Sequence, residues 1–232
     1  MNDLKTRIMA HIDEALPGQV WVPADFSQYG SRDAVDKALQ RLVTAGQLRR
    51  IDRGLYDRPK VNSLTKKATA PDYRAVVDAI ARRDQLRLLV DGMTAANDLG
   101  LTDAVPANVA IHTDARRRAI QLGNLTITFK LTAPSRLYWA GRPAMRVVQA
   151  LYWLKDTLPA DQPRIVRRLS ELLGDSEQGE AIRRDLLTGL NTLPAWMQAI
   201  VRELPGCAVQ DTKAAIPFPG TTDRRMRRDT FA

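Results

Sequence analysis

The sequence has little of what several classes of protein require. Its single cysteine, Cys207, excludes an internal disulfide and a zinc cluster built on cysteines. Its two histidines, His11 and His112, lie far apart in the chain and imply no histidine-based metal site. It also has no run of about 18 apolar residues of the kind that spans a membrane. We therefore expect a cytoplasmic protein that binds no cofactor, no metal and no membrane.

Signatures of enzymes and of secretion are also missing. The N-terminal residues are amphipathic and include acids, which is not the pattern of a secretory signal peptide. The chain lacks the motifs of phosphate-binding loops, dinucleotide-binding folds, serine hydrolases, zinc proteases and CxxC redox centres. His11 falls within a predicted helix and His112 at a strand end, where a histidine is more often structural than catalytic. We do not expect an enzyme.

Length and charge set broader bounds. The chain has 232 residues, which is long for one domain and suits two. Its net charge is +9, and the excess is spread: 10 bases and 8 acids in residues 1–60, 10 and 7 in 61–135, and 15 and 11 in 136–232. Basic side chains attract phosphates, but a basic soluble enzyme has the same balance. Charge alone therefore does not identify a nucleic-acid binder.

Residues 31–46 have the pattern of an amphipathic helix with both ends marked. The apolar positions, which recur at helical spacing, are Val35, Ala38, Leu39, Leu42 and Val43. Ser31 is a suitable N-cap, and Gly46 can end the helix in a left-handed conformation. The opposite face is polar and holds Arg32, Asp36, Lys37, Gln40, Arg41 and Thr44.

A short β-hairpin rich in arginine is predicted directly after this helix. Leu48 and Ile51 precede an Arg53-Gly54 turn, and Leu55 and Tyr56 follow it. The arginines in and around the hairpin are Arg49, Arg50, Arg53 and Arg58.

The order of elements in residues 1–60 predicts a winged helix-turn-helix. An amphipathic helix near the N-terminus, a short extended VWVP, and a one-to-two-turn helix in ADFSQYG come before the helix that begins at Ser31. Helix-turn-helix proteins place their second helix in the major groove of DNA, and a basic hairpin beside it can reach the backbone. The predicted DNA-binding residues are Ser31, Arg32, Lys37, Gln40, Arg41, Arg49, Arg50, Arg53 and Tyr56. Two alternatives remain: a solvated charged face, and a winged helix that binds only protein.

The rest of the chain predicts a linker, a mixed domain and a tail. Residues 61–71 are polar and lack a periodic apolar pattern, so we interpret them as a linker. Residues 72–207 begin with a helix, continue with strand candidates in LRLLV, ANVAIHT, RRRAIQL and LTITFKL, and become helical from Pro143. Residues 208–232 end in a basic cluster and are expected to be mobile. The predicted fold class is α+β, with a small sheet and a helical C-terminal part in the second domain.

Two groups of charged residues in the second domain allow more than one interpretation. Asp91 and Asp114 follow strand candidates, where carboxylates can hold a divalent metal, but Asp91 also precedes Gly92 as a helix cap would. Arg116, Arg117 and Arg118 could bind phosphate or an acidic partner, or could keep a strand edge from pairing with other chains.

Several longer stretches carry a resemblance to a known family. These are GMTAANDLGLTDAVPANVAIHTD, RRRAIQLGNLTITFKLTAPSRLYWAGRPAMRVVQALYWL and LPAWMQAIVREL. With the N-terminal pattern they resemble the AbiEi-type antitoxins of bacterial type IV toxin–antitoxin systems. The resemblance implies a repressor that binds operator inverted repeats as a monomer pairing on DNA. It also implies an antitoxin that counteracts a nucleotidyltransferase-like toxin, with or without direct contact, and it carries over no catalytic residues.

The leading hypothesis is thus a DNA-binding repressor of its own operon with an antitoxin domain. Its rivals are a metal-dependent enzyme acting on nucleic acid, with carboxylates of the second domain as ligands, and a winged-helix adaptor for a protein partner. The sequence does not specify the operator or the toxin.

Overall fold

The computed structural model describes residues 4–174 and 176–207, and its first part follows the predicted order of elements. The elements up to residue 57 are α1 (Leu4–Glu14), β1 (Val20–Trp21), a 3₁₀ helix (Pro23–Tyr29), α2 (Arg32–Thr44), β2 (Arg49–Asp52) and β3 (Leu55–Asp57). The predicted short helix in ADFSQYG is therefore present, but it is wound as a 3₁₀ helix. Phe26 fixes it to the rest of the molecule, since its side chain is fully buried.

The ends of α2 lie where the sequence places them. The Ser31 hydroxyl oxygen accepts a hydrogen bond from the backbone N–H of Ala34 at 3.4 Å, as an N-cap does. At the other end Gly46 has φ +70°, the left-handed conformation that releases the chain from the helix. Val35, Leu39 and Leu42 are buried and hold the apolar face of α2 against α1 and the 3₁₀ helix.

The first three strands form a small antiparallel sheet in the order β1-β3-β2. Because side chains alternate along a strand, its two faces belong to different cores. Trp21 and Tyr56 face a cluster built from α1, α2 and the 3₁₀ helix. Val20 and Leu55 face the larger cluster that extends through the second part of the chain. The N-terminal sheet is therefore covered on both sides.

The second part of the chain combines one sheet with six α-helices and two short 3₁₀ helices, Pro134–Arg136 and Leu190–Thr192, in the described residues. Its strands are β4 (Leu88–Val90), β5 (Asn108–Thr113), β6 (Ile120–Leu122) and β7 (Leu125–Leu131). Its helices are α3 (Tyr73–Asp84), α4 (Gly92–Asp98), α5 (Met145–Leu154), α6 (Leu158–Leu172), α7 (Glu177–Thr188) and α8 (Ala195–Glu203). The sheet order is β4-β5-β7-β6, in which β5 and β7 run parallel and the other pairs antiparallel. The mixed α+β class is as predicted.

Close packing of α4 on α5 explains why the sequence has a glycine at the start of α4. A Cβ atom on Gly92 would lie 2.6 Å from Cβ of Trp153 and 2.7 Å from the carbonyl oxygen of Gln149. Neither atom can move without moving α5, so any larger residue would separate the two helices.

Several boundaries differ from the predictions. The strand expected over RRRAIQL covers only Ile120–Leu122, and Arg116 to Arg118 lie in an irregular loop before it. Helix α6 begins at Leu158 and includes Pro163 within the helix. Five residues of α6 come before Pro163, so the missing N–H of the proline costs the helix one backbone donor near its start. The predicted mobile tail, 208–232, lies outside the described residues.

The segment predicted as a linker contains a local turn. Val61 pairs with Ala68 in a single antiparallel bridge, and the N–H of Thr69 donates to the carbonyl of Lys60 at 2.8 Å. All residues from 61 to 70 are exposed. Across the described ranges, no helix combines the length and the apolar character that a membrane span needs.

Candidate nucleic-acid interface

An open groove of about 620 Å³ runs between α2 and the β2–β3 hairpin. One wall is the polar face of α2, and the other is the hairpin with its turn. The residues that line it are Arg32, Asp33, Asp36, Lys37, Gln40, Val43, Thr44, Arg50, Arg53, Gly54 and Tyr56. The groove is the place where the predicted helix and the predicted arginine-rich hairpin meet.

Helical periodicity decides which side chains of α2 reach the groove. Lys37 and Gln40 are exposed on the side of the helix that faces the hairpin. Arg32 lies on the same side, where its Nε donates to Asp36 at 2.9 Å across one turn. That ion pair is exposed at both ends, so solvent weakens it and it costs little to break.

Strand alternation decides which arginines of the hairpin reach the groove. Arg50 pairs across the sheet with Tyr56, and both line the groove. Arg53 is exposed at the turn, where Gly54 adopts φ +68° and lets the chain reverse in two residues. The hairpin therefore presents two exposed arginines beside α2, and Tyr56 contributes only an edge because it is 7% exposed.

Three of the predicted DNA-binding residues lie outside this groove. Ser31 uses its hydroxyl to cap α2. Arg41 is exposed and follows Lys37 by one helical turn, but it is not among the residues that line the groove. Arg49 lies on the opposite face of the sheet from Arg50, where it binds Asp57 through Nε at 2.9 Å and Nη2 at 2.5 Å.

The position of Arg49 has a structural reason. Asp57 is its cross-strand partner and is buried, so the carboxylate requires a cationic neighbour. Arg49 also donates from Nη1 to the carbonyl oxygen of Thr69 at 2.8 Å, which ties the hairpin to the segment before α3. The structure thus gives Arg49 a partner within the hairpin that the sequence pattern did not indicate.

The groove holds four cationic side chains and two acidic ones. The cations are Arg32, Lys37, Arg50 and Arg53, and the acids are Asp33 and Asp36. Arg32 and Asp36 offset each other, and Asp33 lies in the first turn of α2, where the helix dipole favours an acid. Lys37, Arg50 and Arg53 form no ion pair within residues 4–174 and 176–207. Their charge is available to an anionic partner.

Asp91, one of the two carboxylates considered as metal ligands, has another role. Asp91 caps α4: it accepts hydrogen bonds from the backbone N–H groups of Thr94 and Ala110, both at 3.1 Å, and from the Thr94 hydroxyl at 2.6 Å. In the part of the chain that the structure describes, no three His, Cys, Asp or Glu side chains come together as a metal site would require.

The two histidines contact neighbouring side chains. Nδ1 of His11 lies 3.1 Å from the Tyr29 hydroxyl, and its ring packs edge-on against Trp21 and Phe26 in the N-terminal core. His112 lies near Thr132, and burial followed by the charge of Lys130 lowers its pKa. Both fit the structural interpretation given to them from the sequence.

Most of the sequence that forms this architecture matches a protein family, but the family has no assigned activity. No curated protein matches the sequence. Residues 7–173 match a protein family described as a family of unknown function, DUF6088. The match begins within α1 and ends one residue after α6, so it includes α2, the hairpin and the four-stranded sheet. The chain therefore belongs to the DUF6088 family.

Proposed function

We propose that this protein is a winged helix-turn-helix protein that binds double-stranded DNA. The 3₁₀ helix Pro23–Tyr29 and α2 are its helix-turn-helix, and the β2–β3 hairpin is its wing. Phe26 on the first helix and Leu39 on the second are fully buried in one cluster, which fixes the angle between the two. The order of these elements and their shared core support the assignment.

The observation that carries the proposal is the groove between α2 and the hairpin. It brings Lys37, Arg50 and Arg53 to one open surface from two separate elements, with no ion pairs among the described residues. Unpaired cations that share a concave surface repel each other unless an anion is bound there. A DNA backbone supplies a regular row of such anions.

The two walls of the groove have different roles in this proposal. Arg32 and Lys37 extend from the first half of α2, the region that contacts base edges in helix-turn-helix complexes, and Gln40 follows about one turn later. Arginine, lysine and glutamine also have the donors that recognise guanine and adenine in the major groove. Arg50 and Arg53 bind phosphates, which fix the register of α2 without reading sequence.

The proposal includes a biological role: repression of its own operon through an inverted repeat, and neutralisation of a nucleotidyltransferase-like toxin. Two copies of the chain would pair on the repeat, one on each half-site. The support for this role is the resemblance of residues 92–114, 116–154 and 193–204 to AbiEi-type antitoxins. Co-expression of the full chain with a neighbouring nucleotidyltransferase-like gene tests it, since the proposal predicts restored growth.

The experiment that tests DNA binding begins with selection from a pool of random duplexes by the full-length protein. We expect an enriched sequence, bound more tightly than unselected duplex, with an affinity that falls steeply as salt rises. If no sequence is enriched and no duplex is retained, the groove does not bind DNA and a protein partner becomes the better explanation. Mg²⁺-dependent cleavage of the duplex by the same preparation would instead indicate a nuclease.

A further inference from the structure

A second groove, of about 840 Å³, continues from the first onto the other part of the chain. Its walls are the hairpin turn, the end of α3, and residues 116–120 of the loop between β5 and β6. Arg32, Arg53 and Gly54 line both grooves. The two grooves therefore meet at the hairpin turn and form one surface.

Ion pairs and a backbone contact fix this loop against the hairpin. Arg117 binds the carboxylate of Asp84, which also accepts hydrogen bonds from Arg83 through Nε at 3.0 Å and Nη2 at 2.8 Å. Arg83 in turn donates from Nη1 to the carbonyl oxygen of Arg53. The loop, α3 and the hairpin turn are thus joined through the side chains of Arg117, Asp84 and Arg83, which hold the loop in place without a ligand.

The arginines on either side of Arg117 are not used in this way. Arg116 and Arg118 are exposed, and neither forms an ion pair within the described ranges. Only two acids line the groove, and one of them, Asp84, already binds Arg83 and Arg117. Protection of a strand edge does not account for the pair, because both residues precede β6 and lie outside the sheet.

We propose that Arg116 and Arg118 bind phosphates of the same DNA duplex that α2 engages, beyond the base pairs that α2 reads. The inference rests on the proposed function of the first groove, because a shared surface implies a shared ligand. The planar guanidinium group can bind phosphate through two parallel hydrogen bonds, so arginine is well suited to this role. The second part of the chain thereby becomes part of the DNA-binding surface and lengthens the footprint on one side of the hairpin.

The test compares two full-length double variants, R116Q/R118Q and R167Q/R202Q. Arg167 and Arg202 are also exposed, lie on α6 and α8 and line neither groove, so the control loses the same charge elsewhere. Affinity for the duplex selected by the wild type, and for an unselected duplex, is measured over a range of salt concentrations. For R116Q/R118Q we expect a slope of log K against log salt that is shallower by about 1.8, from two lost phosphate contacts. The control should retain the wild-type slope.

The outcomes separate this inference from the proposed function. If R116Q/R118Q binds with the slope of the wild type and the control, the loop does not contact phosphate, although the first groove still binds DNA. Affinity loss confined to the selected duplex would also overturn the inference, because backbone contacts carry no sequence information. R116K/R118K retains the charge and should retain the slope; if its slope falls as well, loop structure and not phosphate contact is responsible. Failure of the wild type to bind any duplex would overturn the proposed function itself.

Discussion

The arginines of this protein fall into two groups that differ in what they contact. Around the two grooves, Arg50, Arg53, Arg116 and Arg118 are exposed and without acidic partners in the described part of the chain. In the second part of the chain, others bind acids that are largely buried. Arg74 and Arg146 both bind Asp98, the former at 2.5 Å and the latter at 3.0 Å, and the Asp98 side chain is only 4% exposed.

A second example makes the contrast clear. Arg142 binds Asp185 through Nε at 2.9 Å and Nη2 at 2.5 Å, and its guanidinium lies 4.5 Å from the ring centroid of Tyr138 and 5.0 Å from that of Trp139. Such an arginine stabilises the fold, and the hydrogen bonds to Asp185 raise its pKa. An arginine without a partner contributes little to folding, and for the unpaired group we propose a ligand. The number of arginines alone does not separate the two roles; their partners do.

The largest expected effect is on the paired group. Asp98→Asn should lower the free energy of unfolding by about 3 kcal/mol, because Arg74 and Arg146 would lose the charge that offsets their partial burial. Urea denaturation measures the change. Binding of the selected duplex at low denaturant should be unaffected, since Asp98 lies in neither groove. Loss of DNA affinity with unchanged stability would contradict the division into two groups.

The same variant has a predicted pH dependence. Burial opposes the charged form of Asp98, but hydrogen bonds from Arg74, Tyr73 and Arg146 outweigh burial and hold its pKa below the ordinary value. The resulting stabilisation is complete above the unfolded pKa of about 3.9 and is lost as the pH falls toward the lower folded pKa. The difference in stability between wild type and Asp98→Asn should therefore shrink below about pH 4, as urea midpoints would show.

Arg49 offers a sharper test because it was first predicted to contact DNA. Arg49→Ala leaves the buried Asp57 carboxylate without its cation, so unfolding should become easier by about 1.5–3 kcal/mol. The salt slope of DNA binding should stay at the wild-type value, because Arg49 faces away from the α2 groove. A shallower salt slope of DNA binding with normal stability would indicate that Arg49 contacts DNA.

Two cations on the same helix form the next comparison. Lys37→Ala should weaken binding of the selected duplex by about 1–3 kcal/mol if its ammonium contacts a base edge. Arg41→Ala, one helical turn after Lys37 but outside the residues that line the groove, should change the affinity by less than about 0.5 kcal/mol and serves as the matched control. Fluorescence anisotropy with the selected duplex measures both. Equal losses would mean that DNA approaches α2 from a different direction.

The smallest effect is expected for an acid in the groove. Asp36→Asn removes a negative charge and frees Arg32 from its exposed ion pair. Surface pairs one helical turn apart are worth about 0.3–0.5 kcal/mol, so DNA affinity should rise about twofold and stability should barely change. A fall in affinity would indicate that Asp36 itself accepts a hydrogen bond from a base, as carboxylates do from cytosine.

The parts of the fold that could be predicted from sequence are those fixed by near neighbours in the chain. The apolar stripe of α2, its cap at Ser31 and its glycine stop at Gly46 each depend on residues a few positions apart. The Arg53-Gly54 turn is equally local. Only a short connection joins α2 to β2, so the helix and the hairpin must lie side by side with a groove between them.

The parts that could not be predicted depend on residues far apart in the chain. The ion pair of Arg117 with Asp84 brings the loop before β6 onto the end of α3, and no local pattern reports it. The sequence predicted a strand over Arg116, Arg117 and Arg118. In the structure these residues lie in a loop, in which Arg117 binds Asp84 and its two neighbours are exposed. The burial of Val20 and Leu55 beneath the second part of the chain is likewise a long-range property. The sequence shows which residues are charged, but it does not show which arginines have an acidic partner in the fold.

The most direct test of the central claim is the salt dependence of DNA binding by the full-length protein and by Arg50→Gln/Arg53→Gln. Both arginines are exposed, line the α2 groove and have no acidic partner among the described residues, so their replacement should leave the urea midpoint unchanged. The account predicts a slope of log K against log salt that is shallower by about 1.8 in the variant, for selected and unselected duplexes alike. Parallel slopes for the two proteins would contradict it.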